Sequence, residues 1–301
     1  MARYGLPWQG SKSRIAEWVI DVLPPSHTLV DLFAGGGAIT HCALLSGKWE
    51  RIIANDKTDS ARVFMDAIRG EYNGFATVPT RDEFLASEDT MLRMLYSFGN
   101  DRTTYLWSPE LEAVKVPASR MLCASSLHER RMAYIEFCKN LAAYLRGDDC
   151  ENAAYKLVHE NAGGSDGLKG LQGIASLERL RELESLERLQ ALERVEALER
   201  DYRLVDIPDG STVYADPPYR GTANSSRYGE FDFDAFDMWL GGVDFPVFVS
   251  EFDAPAGCVE VASTERVTSM AANSTDRRTE RIFVQERFYD KCKILTLFDM
   301  G

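Results

Sequence analysis

Tyr214-Ala215-Asp216-Pro217-Pro218-Tyr219 ends an apolar run with an acid, two rigid residues and an aromatic ring. Consecutive prolines fix the backbone and remove two N–H donors, so nearby carbonyls face outward as acceptors. Asp216 and the Pro217 carbonyl can accept the two hydrogens of an exocyclic NH2, while Tyr219 stacks on the planar ring that bears it. A second group of residues lies upstream. Asp31-Leu32-Phe33-Ala34-Gly35-Gly36-Gly37 places glycines where backbone must approach a ligand and turn into a helix N-terminus. No Gly-Lys-Ser/Thr follows, which excludes a phosphate-binding P-loop. Asp56 ends the next strand-like run, 19 residues after Gly37, the position from which a carboxylate accepts ribose hydroxyls. Taken singly, a proline-rich turn and a tight glycine turn are the plainer readings. Together they predict an adenosine-bearing cofactor beside an amino-bearing planar substrate.

Such groups need a scaffold, and the apolar patterning supplies one. TLVDLF (28–33) reads as a buried strand and AITHCALLS as the helix after the glycines; RIIAND (51–56) reads as a second strand. Residues 58–160 switch to mixed helical segments with loops, SFGNDRTTYLWSPE (97–110) among them. Strands resume near 212–215, 246–250, 258–262, 281–285 and 293–298. That order predicts a parallel α/β sheet carrying a large insertion. From Leu168 to Leu198 every third residue is apolar, and from Leu177 the chain runs LER LRE LES LER LQA LER VEA LER. In an α-helix such a stripe drifts by about 60° per step. A 3₁₀-helix would stack it on one face, although such runs rarely exceed about 3–4 residues. Leu, Ala, Glu and Arg favour helix, so residues 164–203 are expected to form a helical segment, α or 3₁₀, serving as a strut. A leucine-rich solenoid turn is the third reading.

The chain of 301 residues, 45% hydrophobic and 27% charged, has enough apolar matter for a core, which argues against a disordered protein. No apolar stretch approaches membrane-spanning length, and MARYGLPWQG lacks the apolar core of a signal peptide. Six cysteines are scattered without a C-x-x-C pair or paired histidines, which disfavours zinc or disulfides and fits a reducing cytoplasm. A net charge of −13 opposes a polyanionic partner at first sight. The distribution is uneven, however. Residues 206–260 hold eleven acids against two arginines, whereas 113–146 hold six Lys/Arg against two Glu. A polarised molecule can meet nucleic acid with one face, at the expense of weak and salt-sensitive nonspecific affinity.

Gly10-Ser11-Lys12, DLFAGGG, an acid ending the second strand, and Asp-Pro-Pro-Tyr follow one another in an order that resembles Dam-type DNA adenine-N6 methyltransferases. The resemblance covers roughly 5–57 and 204–300. It implies a Rossmann-like AdoMet-dependent methyltransferase sheet with a mainly helical target-recognition insertion. The catalytic domain would be 1–57 and 204–301, and the insertion 58–163. It further implies S-adenosyl-L-methionine as cofactor, held by Trp8, Lys12, Asp31, Phe33, Ala34, Gly35, Gly37, Asp56 and Asp216. The partner would be double-stranded DNA, with the target adenine flipped out onto Asp216, Pro217, Pro218 and Tyr219. A monomer, or at most a weak dimer, in a bacterial or phage-encoded cytoplasmic setting is expected, with no membrane and no metal.

Other residues bear on the partner. Arg130 and Arg131, and Arg277, Arg278 and Arg281 after the polar loop AANSTD, are candidates for phosphate contact, with a solvated helix face the plain alternative for the first pair. Tyr105 and Trp107 could wedge into DNA, but packing is the favoured reading. The four isolated histidines read as surface or packing residues. The pocket logic alone also fits RNA adenine, cytosine N4, a protein glutamine amide, or an idle nucleic-acid-binding module. Covalent ring methylation is disfavoured because no Pro-Cys pair occurs.

Overall fold

Short apolar runs, buried on both faces, build the central sheet of the computed structural model, which describes residues 4–72, 77–145, 192–220, 231–267 and 277–290. The strands are β1 (Thr28–Asp31), β2 (Arg51–Asp56), β3 (Val195–Glu199), β4 (Thr212–Ala215), β5 (Val247–Glu251), β6 (Cys258–Val267) and β7 (Arg277–Gln285). Their order is β3-β2-β1-β4-β5-β7-β6. The first five run parallel, while β7 is antiparallel to both β5 and β6. Period-two alternation sends successive side chains to opposite faces. Leu29, Ile52, Tyr214 and Phe248 join one core with α1 (Ala16–Val22) and α2 (Ala38–Ser46). Val30, Ile53, Val213 and Val249 join the other, with Tyr202 and the residues Phe236 and Leu240 of a later helix, Phe233–Gly242. Strands covered on both faces need no polar side, which is why their sequences read as unbroken apolar runs.

The described residues fall into two units. The sheet unit draws on Met1–Gly5, Ser11–Arg62 and Gln190–Gly301; the other draws on Leu6–Gly10 and Val63–Leu189. The described part of the second unit is helical, with α4 (Arg81–Ala86), α5 (Thr90–Leu95), α6 (Pro109–Cys123) and α7 (Leu127–Leu145); α3 (Ser60–Ile68) runs from one set of residues into the other. Thr80 and Glu83 form a reciprocal capping box at the start of α4, and Ser108 caps α6 ahead of Pro109. Phe84, Met91, Met94, Tyr96, Tyr105 and Trp107 are among the buried residues of this unit.

The helical expectation for 164–203 fails over Val195–Glu199, while Tyr202–Leu204 forms a 3₁₀ turn. Val195–Glu199, the end of the triplet repeat, is the strand β3, paired in parallel with β2 from Ile52↔Val195 to Asp56↔Glu199. Val195 and Ala197 pack on Ala34, Ala54 and Ala61, and Leu198 packs on the opposite face. Hydrogen bonding to β2 and two-sided packing override the helix propensity of Glu, Ala and Leu. The repeat from Leu168 to Leu189 and the expected strand at 293–298 lie outside the described residues.

Candidate active site

Parallel strands deliver their carboxyl ends to one edge of the sheet, and here each of four central strands arrives there with an acid. Asp31 is the last residue of β1, Asp56 of β2 and Glu251 of β5, while Asp216 follows β4 directly. β1 and β4 are neighbours in the sheet, with Asp31 opposite Tyr214, although a long stretch of chain separates them. Chain direction away from β1 reverses at this point, the crevice where open α/β sheets bind ligands.

The glycine loop occupies the β1 side of that crevice. Gly35 and Gly37 adopt φ of 50° and 74°, a region that L side chains avoid, and Gly37 caps the start of α2. The Gly35 N–H donates to Asp56 Oδ2 at 3.0 Å, and the Thr58 N–H and hydroxyl donate to Asp56 Oδ1, each at 2.8 Å. Asp56 therefore fixes the glycine loop to the end of β2. Gly5 presses against the same loop: a Cβ there would lie 2.6 Å from Gly36 O and from Ala38 N. Its N–H donates to His41 Nδ1 at 2.9 Å, so His41 is a packing residue as expected. Phe33 sends its ring into the core against Tyr202, centroids 5.3 Å apart. Asp31 is 1% exposed; Thr40 Oγ1 donates to its Oδ2 at 3.0 Å, while Oδ1 is buried with no hydrogen-bond partner. Burial pushes the Asp31 carboxyl up to about 7; the Thr40 bond opposes this, and repulsion from Asp216 and Asp56 adds to it.

On the β4 side, Asp216, Pro217, Pro218 and Tyr219 form the loop toward Arg220. Lys12, 5% exposed, places Nζ 2.8 Å from Asp216 Oδ1, 3.8 Å from Glu280 Oε2 and 4.2 Å above the Tyr219 ring. The Tyr219 hydroxyl donates to Glu280 Oε2 at 2.9 Å, and its ring meets Phe252 edge-on at 4.5 Å. One face of the expected stacking ring thus already carries an ammonium. Burial raises the Asp216 carboxyl, Lys12 lowers it, and Glu280 raises it again. Glu251 accepts the N–H of Phe252 at 2.8 Å and of Arg220 at 3.2 Å, which ties the loop to β5; burial pushes its carboxyl up to about 7. Five acids, two of them paired to the buried Lys12, make a crevice that favours a cation.

Sequence reasoning missed Glu251 and Glu280. Glu251 carried the same signal as Asp56, an acid closing an apolar run, in PVFVSE. Glu280 had only an acid set within RTERIFVQ, and its partner Tyr219 lies 61 residues away. Trp8 belongs to the helical unit, where the Arg102 guanidinium stands 4.4 Å over its ring. Arg130 and Arg131 are exposed on α7. Arg277 and Arg278 stand at the start of β7, with side chains outside the description. Arg281 is engaged by Glu260 at 3.2 Å and by the Phe252 carbonyl, which takes it from the phosphate candidates. Tyr105 and Trp107 are buried against each other and Tyr105 donates to Pro79 O at 2.6 Å, so packing explains them. The exposed ring of that loop is Phe98, 65% accessible. Among the described residues no cluster could hold a metal, and no helix is long and apolar enough to cross a membrane.

A model of the D12 class N6 adenine-specific DNA methyltransferase family matches residues 8–107, a span that contains Lys12, the glycine loop and Asp56. No curated protein matches the chain. The Asp-Pro-Pro-Tyr loop lies beyond the matched span, yet the sheet brings it to the neighbouring strand end, beside Lys12. Over those residues, about a third of the chain, the sequence is similar to the D12 class N6 adenine-specific DNA methyltransferase family.

Proposed function

We propose that the protein is a site-specific DNA methyltransferase that transfers a methyl group from S-adenosylmethionine to N6 of an adenine flipped out of duplex DNA. The observation that carries this reading is the placement of Asp216 at the strand-order reversal, next to the glycine loop and paired to Lys12. The family implies S-adenosylmethionine as donor, and the crevice fits it. Glycine backbone permits close approach, Asp56 offers a carboxylate for ribose hydroxyls, and the unpartnered Asp31 Oδ1 awaits a donor. When bound, the cofactor supplies an electrophilic methyl on a sulfonium, whose positive charge the acid-rich crevice favours. A Rossmann-like methyltransferase core accounts for the mostly parallel sheet.

The chain's own residues would act by positioning and electrostatics. Asp216 and the Pro217 carbonyl accept the two N6 hydrogens and turn the nitrogen lone pair out of conjugation, toward the methyl group. The prolines hold the acceptors rigid, so no reorganisation is needed at the moment of transfer. Asp216 would stabilise the positive charge that develops on N6 as the nitrogen takes the methyl group that the bound donor would supply. Asp216, hydrogen-bonded to N6, would then accept the proton that the cationic nitrogen loses and pass it to solvent. Base flipping costs a few kcal/mol, on the order of one or two stacking steps. Arg130 and Arg131, exposed on α7, are available for backbone phosphates.

Incubation with tritiated S-adenosylmethionine and separate duplex DNA, RNA and protein substrates, followed by nucleoside analysis, tests this. N6-methyladenine in DNA is expected. Label in RNA alone, in N4-methylcytosine, in glutamine, or nowhere refutes the reading. Sequencing the methylated DNA then gives the recognition site.

A further inference from the structure

Glu280 is an acid where the strand pattern asks for none. It sits on β7, antiparallel to β5, and is 3% exposed. Its Oε2 accepts from the Tyr219 hydroxyl at 2.9 Å and lies 3.8 Å from Lys12 Nζ. Lys12 in turn is 2.8 Å from Asp216 and 4.2 Å above the Tyr219 ring. The four side chains close a ring of contacts through which an antiparallel strand reaches the Asp-Pro-Pro-Tyr loop. Leaving a charge at such depth is costly unless it is paired, and Glu280 adds a second carboxylate to a lysine already paired with Asp216.

We infer that Glu280 is a positioning residue for methyl transfer: it locks the Tyr219 ring through the hydroxyl and shares the Lys12 ammonium, so that Asp216 stays a strong acceptor for N6. A lysine bound to Asp216 alone would neutralise it just where positive charge develops in the transition state. With Glu280 present the trio keeps a net negative charge facing the base, the sign that transfer from sulfonium to amine needs. The inference rests on the proposed N6 transfer.

The groups facing Asp216 are Lys12, Glu280, Tyr219, Tyr214 on β4, Asp31 on β1 and Glu251 on β5. Of these, Glu280 is an acid whose repulsion opposes ionisation of Asp216. Glu280→Gln retains an acceptor for Tyr219 and removes the charge. Its acid limb of kcat/KM should therefore move to lower pH, while kcat falls about tenfold and both KM values stay within about twofold. Glu280→Ala, which loses both roles, should lose about a hundredfold in kcat. Melting curves verify that each variant folds. Independently of activity, 3-fluorotyrosine placed at position 219 reports the hydroxyl's partner through its 19F shift, which should move in Glu280→Gln. An unmoved resonance overturns the contact. Wild-type kcat with an unmoved acid limb in Glu280→Gln overturns the role while leaving the function intact. A wild-type protein that leaves DNA adenine unmethylated overturns the function, and this inference with it.

Discussion

Lowering the pH from about 8 to about 6 should weaken S-adenosylmethionine binding roughly tenfold, because Asp31 must be ionised to attract a cation. Asp31 ends β1 at the crevice, is 1% exposed, and has one oxygen held by Thr40 and the other unpartnered. Burial pushes its carboxyl up to about 7. About half the molecules then carry a neutral Asp31 near pH 7 and about nine-tenths near pH 6, so affinity falls about tenfold per pH unit below the midpoint. That is about 1.4 kcal/mol per decade. The sign follows from linkage: a bound cation favours the ionised acid, so binding lowers its pKa, releases a proton and tightens as pH rises through about 7. Glu251, also pushed up to about 7, steepens the dependence toward two protons if it too must ionise. Calorimetry in buffers of differing ionisation enthalpy counts the protons released. The cofactor's own amino group titrates nearby, at about 8, so Asp31→Asn serves as the reference. It keeps the shape and an acceptor for Thr40 but has no charge to lose, so its affinity should be weak and follow only the cofactor's titration. Identical pH profiles for wild type and Asp31→Asn would refute the assignment of Asp31 to the cofactor crevice.

Asp216→Ala should abolish tritium transfer to DNA adenine while calorimetric binding of S-adenosylmethionine survives at least in part; a fully active variant would sink the mechanism. Lys12→Met leaves Asp216 and Glu280 without their shared ammonium, a loss of about 3–5 kcal/mol for a buried pair. Asp216, already raised by burial, rises further in that variant. Its destabilisation should accordingly be recovered below the unfolded carboxyl range and grow as pH rises through the folded pKa, which melting curves at several pH values would reveal. The double variant Arg130→Ala, Arg131→Ala should lower the salt slope of duplex binding by about two while leaving the methylated sequence unchanged. An unaltered slope would remove α7 from the DNA face.

The parts of the fold that were legible share one property: a short element whose environment is uniform. RIIAND is β2 residue for residue, and AITHCALLS is α2; all of β2 but Arg51 and the first six residues of α2 are buried, so little polar patterning confuses the period. β3 was illegible for the opposite reason. Its Val-Glu-Ala-Leu-Glu has helix-forming letters and a period-three frame, and only the hydrogen bonds of β2 and the alanines packed beneath it make it a strand. The site divides along the same line. Asp56 and Asp216 announced themselves by closing apolar runs, a local signature of strand carboxyl ends, and Asp31 by its place in Asp-Leu-Phe-Ala-Gly-Gly-Gly. Glu280 reaches the crevice from an antiparallel strand, so neither chain spacing nor strand end marks it.

The charge of −13 takes on a different meaning beside this geometry. Asp216 and Glu251 both fall within the acid-rich stretch 206–260, and Asp31, Asp56 and Glu280 join them from elsewhere in the chain. Part of the apparent obstacle to a polyanionic partner is thus placed where a cationic donor is favoured. An acidic crevice would also repel phosphates, so in the proposed reaction the backbone carrying the target base would be kept off the site. In the proposed reaction, flipping would serve electrostatics as well as access: the uncharged base would enter the negative crevice while its phosphates stayed outside.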